Sequence, residues 1–394
     1  MKLEGIKVLD LSLFLPGPHL SMMMADHGAE VISLEPPGGE PIRNIGLKAN
    51  SESVWFRNLY RGKKSINLNL KSEEGKEAFL RLCEQVDVVI EAFRPGVVNR
   101  LGIDYGVLSQ RNPKLVMCSI SAFGQTGPKR LKPAHDLSIE ADSGAVFINQ
   151  GQDGKPAMPG MPVADMAASL MALNGILMAL LRRETTGQGD YLDISMQDAL
   201  VSWYANVMGP CFAEQRSPEP KLERSWGGNA MYQLYQCADG QYLSLGGSEL
   251  HFAKNLFTKL GREDLYALCK LPPGQQQTAI AFLRDTFIQQ PLAYWQEWFA
   301  DIDVCWSPVQ DLNSAIRDPH LAEREMLVKD ADGNEHLGVP IKFLHEPAQP
   351  EYRLPAFSQD TRSVLLSLGY SQTQIDAMEA AQAFIPSTRE EVQS

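Results

Sequence analysis

Residues 133–183 read PAHDLSIEADSGAVFINQGQDGKPAMPGMPVADMAASLMALNGILMALLRR, and they hold two side chains suited to proton or acyl chemistry, His135 and Asp165. Asp165 opens an apolar run at helical spacing that extends to Leu181, after a Pro/Gly-rich approach through Pro156, Pro159, Gly160 and Pro162. This spacing predicts a helix that starts at the carboxylate. Unpaired N–H groups and the positive dipole end at such a start favour the ionised form, which suits a nucleophile or a general base. An ordinary N-terminal cap is the alternative, and aspartate serves equally well there. His135, in the polar phrase PAHDLS, offers the carboxylate a chemical partner. An imidazole titrates near neutrality and can give or take a proton.

The elements that must position these groups read as α/β. Residues 6–12 alternate as a strand, PGPHLSMMMADHGA supplies a turn and a helix, and EVISLEPP is the next strand, a Rossmann-type opening. The turn is Leu15-Pro16-Gly17-Pro18 rather than G-x-G-x-x-G, which sets aside a dinucleotide and with it an NAD-dependent oxidoreductase. A strand at 66–70, a helix at 73–83 and a strand at 86–91 repeat the unit. Arg94-Pro95-Gly96 follows directly, where open α/β sheets place ligands, and Arg100 comes one to two helical turns later. Guanidinium groups suit bidentate phosphate contacts and Lys71 could add a point charge; solvated surface is the alternative for these side chains. A strand at 115–127 and a tight turn at 187–189 lead to a further strand and helix, where Asp193 and Asp198 read as caps. Beyond a polar, Pro-containing stretch at 211–229, residues 231–247 read as a hairpin about Ala238-Asp239-Gly240. Glu249 then stands at a helix start, residues 263–325 are mostly helical, VCWSPVQDL is a returning strand, and the tail adds a hairpin strand and two helices.

At 394 residues the chain exceeds the usual size of one core, so two domains are expected. Hydrophobic content of 44% and charged content of 21% describe a soluble globular protein. A formal charge of −12 argues against nucleic acid or an anionic membrane as the main partner. Six scattered cysteines without a C-x-x-C pair indicate neither a disulfide framework nor a metal site, and cytoplasmic thiols are the simplest account. The N-terminal apolar run lacks the long core and cleavage site of a signal peptide. Residues 166–181, interrupted by Ser169, Asn174 and Gly175, fall short of the roughly 20 residues that span a bilayer, so a buried core helix is expected.

AHDLSIEADSG followed by MPVADMAASLMALNGILMALL resembles the central segment of the family III CoA-transferase and α-methylacyl-CoA racemase superfamily, often called CaiB/BaiF. The resemblance extends over most of the chain. It implies a large Rossmann-like domain from both chain ends, residues 1–200 and 326–394, a linker at 201–225 and a smaller α+β domain at 226–325. It also implies an interlocked homodimer with the active site between large and small domains of different subunits. Coenzyme A would enter as part of the acyl-CoA substrate, with no tightly bound cofactor. Asp165 and His135 would be catalytic, and Glu249 in GGSELHF would pair with the histidine. Arg94 and Arg100 in FRPGVVNRLG would hold the CoA phosphates, and Asn69, Leu70 and Lys71 would line its adenine end. Pro16, Gly17 and Asp136 would complete the CoA site. Family members often carry an arginine just after the second strand's glutamate, where this chain has Glu35-Pro36-Pro37, so Arg43 is expected to supply that charge.

The resemblance leaves two reactions open. In racemisation, Asp165 and His135 exchange the α-proton of an acyl-CoA from opposite faces. In CoA transfer, Asp165 attacks the thioester and carries CoA as an aspartyl thioester. His135, Glu249, the phrase MYQLYQCADGQYLSLGG and the absence of a four-glycine run favour the racemase. Met161, where racemases carry asparagine, and the MPVAD phrase favour the transferase. A non-catalytic acyl-CoA-binding protein is the third reading.

Overall fold

The computed structural model describes residues 1–151 and 153–387. The chain divides into two compact units, one comprising Met1–Ser143, Pro159–Trp203 and the chain from Pro319 on, the other Gly144–Met158 and Tyr204–Asp318. The first unit thus draws on both chain ends.

Its sheet contains β1 (Lys7–Asp10), β2 (Glu30–Glu35), β3 (Lys64–Asn67), β4 (Val88–Glu91), β5 (Val116–Ser121) and β6 (Tyr191–Ser195). Every neighbouring pair is parallel, and the spatial order is β3-β2-β1-β4-β5-β6, the doubly wound arrangement. The chain reverses direction between β1 and β4, so the crevice at their carboxyl ends is where such sheets take a ligand. Helices α1 (Pro16–Asp26), α2 (Glu73–Cys83), α3 (Val97–Leu101), α4 (Asp136–Ser143), α5 (Val163–Thr186) and α6 (Met196–Ser202) belong to the same unit. Of the first four strands in the sequence-based reading, the first, second and fourth appear with shorter bounds than periodicity suggested, and the third is shifted from 66–70 to Lys64–Asn67. α2 occupies the expected 73–83.

Strand β3 is an edge, and its outward N–H groups would be unpaired without cover. The C-terminal segment supplies the partners. Ser65 N–H donates to Asp360 Oδ2 at 2.8 Å, Asn67 N–H to Thr361 Oγ1 at 2.9 Å, and Asn69 N–H to the Ala383 carbonyl at 2.7 Å. Val364, Leu365, Ile375 and Phe384 from this segment join the core formed by Ile66, Leu68 and Phe79.

Helix α5 runs for 24 residues and ends at Gly187, whose φ of 69° and N–H bond to the Arg183 carbonyl close it. One face, with Ala164, Ala167, Ala168, Ala172 and Ile176, is buried and packs on β5, β6 and α1. Small residues permit this close approach: a Cβ on Gly175 would lie 2.4 Å from the Leu192 side chain. Leu170, Leu177, Met178 and Leu181 on the other face are exposed. The expected buried core helix is therefore corrected. By length and composition it is also long enough to cross a membrane, which the shorter run read from sequence was not. The interruptions at Ser169, Asn174 and Gly175 do not break a helix.

The second unit contains β7 (Tyr232–Gln236), β8 (Tyr242–Gly246) and β9 (Trp306–Pro308) in an antiparallel sheet of order β9-β8-β7, with α7 (Leu250–Lys259) following the hairpin. Tyr235, Leu243, Phe257, Phe287, Trp295 and Phe299 form its core. The stretch expected as a linker, 201–225, carries the end of α6, a 3₁₀ helix at Trp203–Asn206 and a helix at Gly209–Glu214. Pro210 occupies the first turn of that helix, where its missing N–H and fixed φ suit a helix start. Residues 144–158, expected in the large domain, group with the second unit.

Candidate active site

Asp165 is the third residue of α5, so the reading of it as the cap is corrected. Pro162 precedes the helix and has no side-chain acceptor, which leaves the first N–H groups to be satisfied from elsewhere. α4 supplies the acceptors. Asp136 Oδ1 accepts from Ala164 N–H at 2.9 Å and Asp165 N–H at 3.1 Å, while Glu140 Oε1 accepts from Val163 N–H at 3.1 Å. Spaced four apart, Asp136 and Glu140 project from one face of α4, near enough for the charge of one to act on the other. Asp136, expected to bind CoA, is thus engaged in holding α5.

Burial, then the charges of Asp136 and Glu140, push the Asp165 carboxyl up to about 7. Glu140 is buried and likewise pushed up to about 7, by loss of hydration and by Asp136. The expectation that the helix end favours an ionised Asp165 is corrected. A helix dipole contributes only about 0.3–1 kcal/mol, too little to offset desolvation beside two other carboxyl groups. His135 precedes α4, exposed, with its carbonyl accepting from Ser138 N–H at 2.9 Å and Ile139 N–H at 3.2 Å. Its ring stands edge-on to Phe14, 6.5 Å between centroids at 86°.

The loop after β1 is built on a buried polar network. Asp10 accepts from Ser12 N–H at 2.9 Å and from the Ser12 and Ser21 hydroxyls, and lies 3.6 Å from Lys63 Nζ. Lys63, fully buried, donates to the Pro18 carbonyl at 2.9 Å and to Ser21 Oγ at 2.7 Å. Loss of hydration pushes its ammonium down to about 8 despite Asp10. A Cβ on Gly17 would sit 1.9 Å from Ser12 Oγ, so only glycine fits there. Pro16 and Gly17, expected at the CoA site, are both buried in the first turn of α1. His19 Nδ1 lies 2.8 Å from Ser169 Oγ, one helical turn beyond Asp165, and ties α1 to α5. Burial and then Lys63 push His19 down to about 4, which keeps it neutral at pH 7.

Arg94 follows β4 at the crevice, and Arg100 lies on α3. Both are exposed, and neither guanidinium has a carboxylate partner among the described residues. Gly96, at φ 87°, turns the chain so that Arg100 Nη1 lies 3.7 Å from its Cβ position, which brings Arg100 over the turn that carries Arg94. Lys71 is exposed beyond the carboxyl end of β3, at the sheet's edge. Asn69 shapes that turn, its Oδ1 accepting from Lys71 N–H at 3.1 Å and its Nδ2 donating to the Gln382 carbonyl at 3.3 Å. Leu70 packs on the core rim.

Arg43 does not supply a free charge. Its Nε and Nη2 donate to Glu35 at 2.8 and 2.5 Å, its Nη1 donates to the Pro355 carbonyl at 2.9 Å, and its face lies 4.1 Å from the Phe56 ring centroid. The expectation that it replaces the missing arginine is corrected, because a bidentate pair with a buried carboxylate neutralises it. In the second unit, Glu249 is the N-cap residue of α7, is exposed, and makes no capping bond through its side chain. Asp193 accepts from Gln125 N–H at 3.0 Å and Asp198 lies in the first turn of α6, both structural roles.

The unit that carries the switch point thus holds a protonatable carboxyl at the start of α5, an exposed imidazole one residue before the aspartate that caps that helix, and two arginines without carboxylate partners after β4. Residues 3–361 match the model of CoA-transferase family III. The chain belongs to that family. It is 33% identical over 355 residues to acetyl-CoA:oxalate CoA-transferase of Acetobacter aceti, covering 86% of this chain and 88% of the relative. It is 30% identical over 382 residues to α-methylacyl-CoA racemase of Homo sapiens, covering 95% of each. A CaiB/BaiF family protein from Brucella suis shares the fold, with a TM-score of 0.81 and 28% identity over 93% of this chain and 99% of the other. This family III member is accordingly an enzyme of the CaiB/BaiF group. Sequence reading missed Glu140, His19, Phe14 and Glu40. For Glu140 a signal existed, since its spacing from Asp136 puts both on one helical face.

Proposed function

We propose that this enzyme acts at the acyl end of a CoA thioester and moves an α-proton between Asp165 and His135. The observation that carries the reading is a carboxyl pushed up to about 7 on a helix start held by Asp136, the residue next to His135. Ionised Asp165 takes the α-proton, and the C–H electron pair delocalises onto the thioester oxygen. The imidazolium of His135 returns a proton to the opposite face. A carboxyl that binds its proton near neutral pH takes it with little energetic loss and releases it as readily. Arg94 and Arg100 bind the phosphates, and the turn at 69–71 borders the adenine end.

A second copy of the chain completes the site in this proposal. The apolar stripe Leu170, Leu177, Met178 and Leu181 supports such a partner, as does Glu249, whose side chain is not used as a cap and would reach the partner's histidine. All six cysteines are free, which supports a reducing, cytoplasmic location.

CoA transfer is the second reading, favoured by the 33% identity to acetyl-CoA:oxalate CoA-transferase. Ionised Asp165 attacks the thioester carbonyl and expels CoA thiolate, leaving a mixed anhydride. The thiolate then attacks the aspartyl carbonyl, releasing the acid and forming an aspartyl thioester. Incubation of a 2-methylacyl-CoA in deuterated water separates the readings. Racemisation exchanges the α-hydrogen and inverts the α-carbon, and His135→Ala loses the inversion. Transfer requires an acceptor acid and leaves a hydroxylamine-sensitive CoA adduct on Asp165. A mere binder shows neither, although CoA still raises its Tm. Full turnover in Asp165→Asn would sink both reactions.

A further inference from the structure

We infer that Phe14 determines acyl specificity: its ring, held by Glu40 against His135, sets the bulk that the reacting end of the substrate can have. The inference rests on the reading that an acyl-CoA thioester meets Asp165 and His135. Phe14 lies in the loop after β1, at the switch point of the sheet. Its φ is 67°, in the left-handed region that bulky side chains rarely adopt. Glycine or asparagine would suit that backbone better. Burial does not account for the phenylalanine either, since Phe14 is 38% exposed.

The surroundings show what holds this conformation. Phe14 N–H donates to Glu40 Oε1 at 3.1 Å, and Glu40 Oε2 accepts from the Tyr60 hydroxyl at 2.9 Å. Glu40 N–H in turn donates to Glu35 Oε2 at 2.8 Å. Glu40, Tyr60 and Glu35 are all buried, so the acceptor comes from a rigid part of the unit. A left-handed backbone persists when its surroundings over-determine it, and such positions cluster at sites that grip ligands. Here the outcome is a partly exposed apolar ring edge-on to the imidazole. Any acyl substituent approaching His135 must share that space. Phe14 is thus the specificity residue, and Glu40 is a positioning residue that acts through it.

The test compares kcat/KM for α-hydrogen exchange in deuterated water with 2-methylbutanoyl-CoA and 2-phenylpropanoyl-CoA, each bearing its α-hydrogen on a stereocentre. Phe14→Ala should raise the bulky-to-small ratio about tenfold or more, the scale of a lost contact in an apolar pocket. Phe14→Leu should raise it less. Glu40→Ala, which frees the loop, should shift the ratio in the same direction, and Glu40→Gln, which keeps an acceptor for Phe14 N–H, should restore it. An unchanged ratio in Phe14→Ala, with the CoA-induced rise in Tm intact, overturns the inference. Should Glu40→Ala fail to fold, the two Phe14 variants decide alone. Retained activity in Asp165→Asn would instead overturn the underlying reading, so the two failures are distinguishable.

Discussion

Asp165 meets opposing influences at the start of α5. The helix end favours its charge, while burial and the carboxyl groups of Asp136 and Glu140 oppose it and prevail. Under the transfer reaction the rate should therefore rise with pH through about 7 as the nucleophile ionises. Glu140→Gln keeps an acceptor for Val163 N–H and can donate to Asp136, but removes one of the charges that raise Asp165. The acid limb of the pH–rate profile should move to lower pH in that variant, while an unmoved limb would refute the coupling. At the crevice mouth, Arg94→Ala and Arg100→Ala should each weaken CoA binding by roughly tenfold, the scale of a charge-assisted contact, as titration calorimetry would show. The effect should shrink as salt is raised.

Elements carry their own predictions. Strand β4 ends in Glu91, 2% exposed and pushed up to about 7 by burial, although Phe93 N–H donates to its Oε2 at 2.7 Å. A folded pKa above the unfolded value means that the protonated form favours folding. That contribution is complete below about pH 4.5 and is lost as pH rises through about 7. Glu91→Gln should therefore stabilise the protein at pH 8 by up to roughly 3 kcal/mol and change little at pH 4, measured by chemical denaturation. In the first turn of α1, Gly17→Ala should destabilise by about 1–3 kcal/mol, because the added methyl meets the Ser12 side chain and not open space. Part of that loss should return in the double variant with Ser12→Gly, since Ser12 Cβ and Oγ are the atoms in the way.

For the whole molecule, the exposed stripe on α5 asks for a covering surface. Met178 and Leu181 are 65% and 74% exposed, and with Leu170 and Leu177 they recur at helical spacing on one face. Met178→Glu together with Leu181→Glu should turn the proposed dimer into a monomer in sedimentation experiments and abolish turnover. The wild-type chain sedimenting as a monomer would refute the dimeric site. Association should not depend on the buried alanine face, which is already occupied by β5, β6 and α1.

Local pattern alone identified α2, the hairpin about Ala238-Asp239-Gly240, the two C-terminal helices and the helix that begins near Asp165, because periodicity records which face of a segment avoids water. Arg94 was legible as a cation just after a strand and Arg100 as one on the helix that follows, whereas the phosphate-binding role of both came from the resemblance alone. Partners distant in sequence were not. Arg43 was expected to be free and is paired with Glu35, and α5 takes its caps from Asp136 and Glu140 on another helix. The edge of β3 is closed by residues from the far end of the chain. Desolvation and electrostatic coupling depend on which groups packing brings within a few ångströms, so the proton affinity of Asp165 and the posture of Phe14 were decided by tertiary structure.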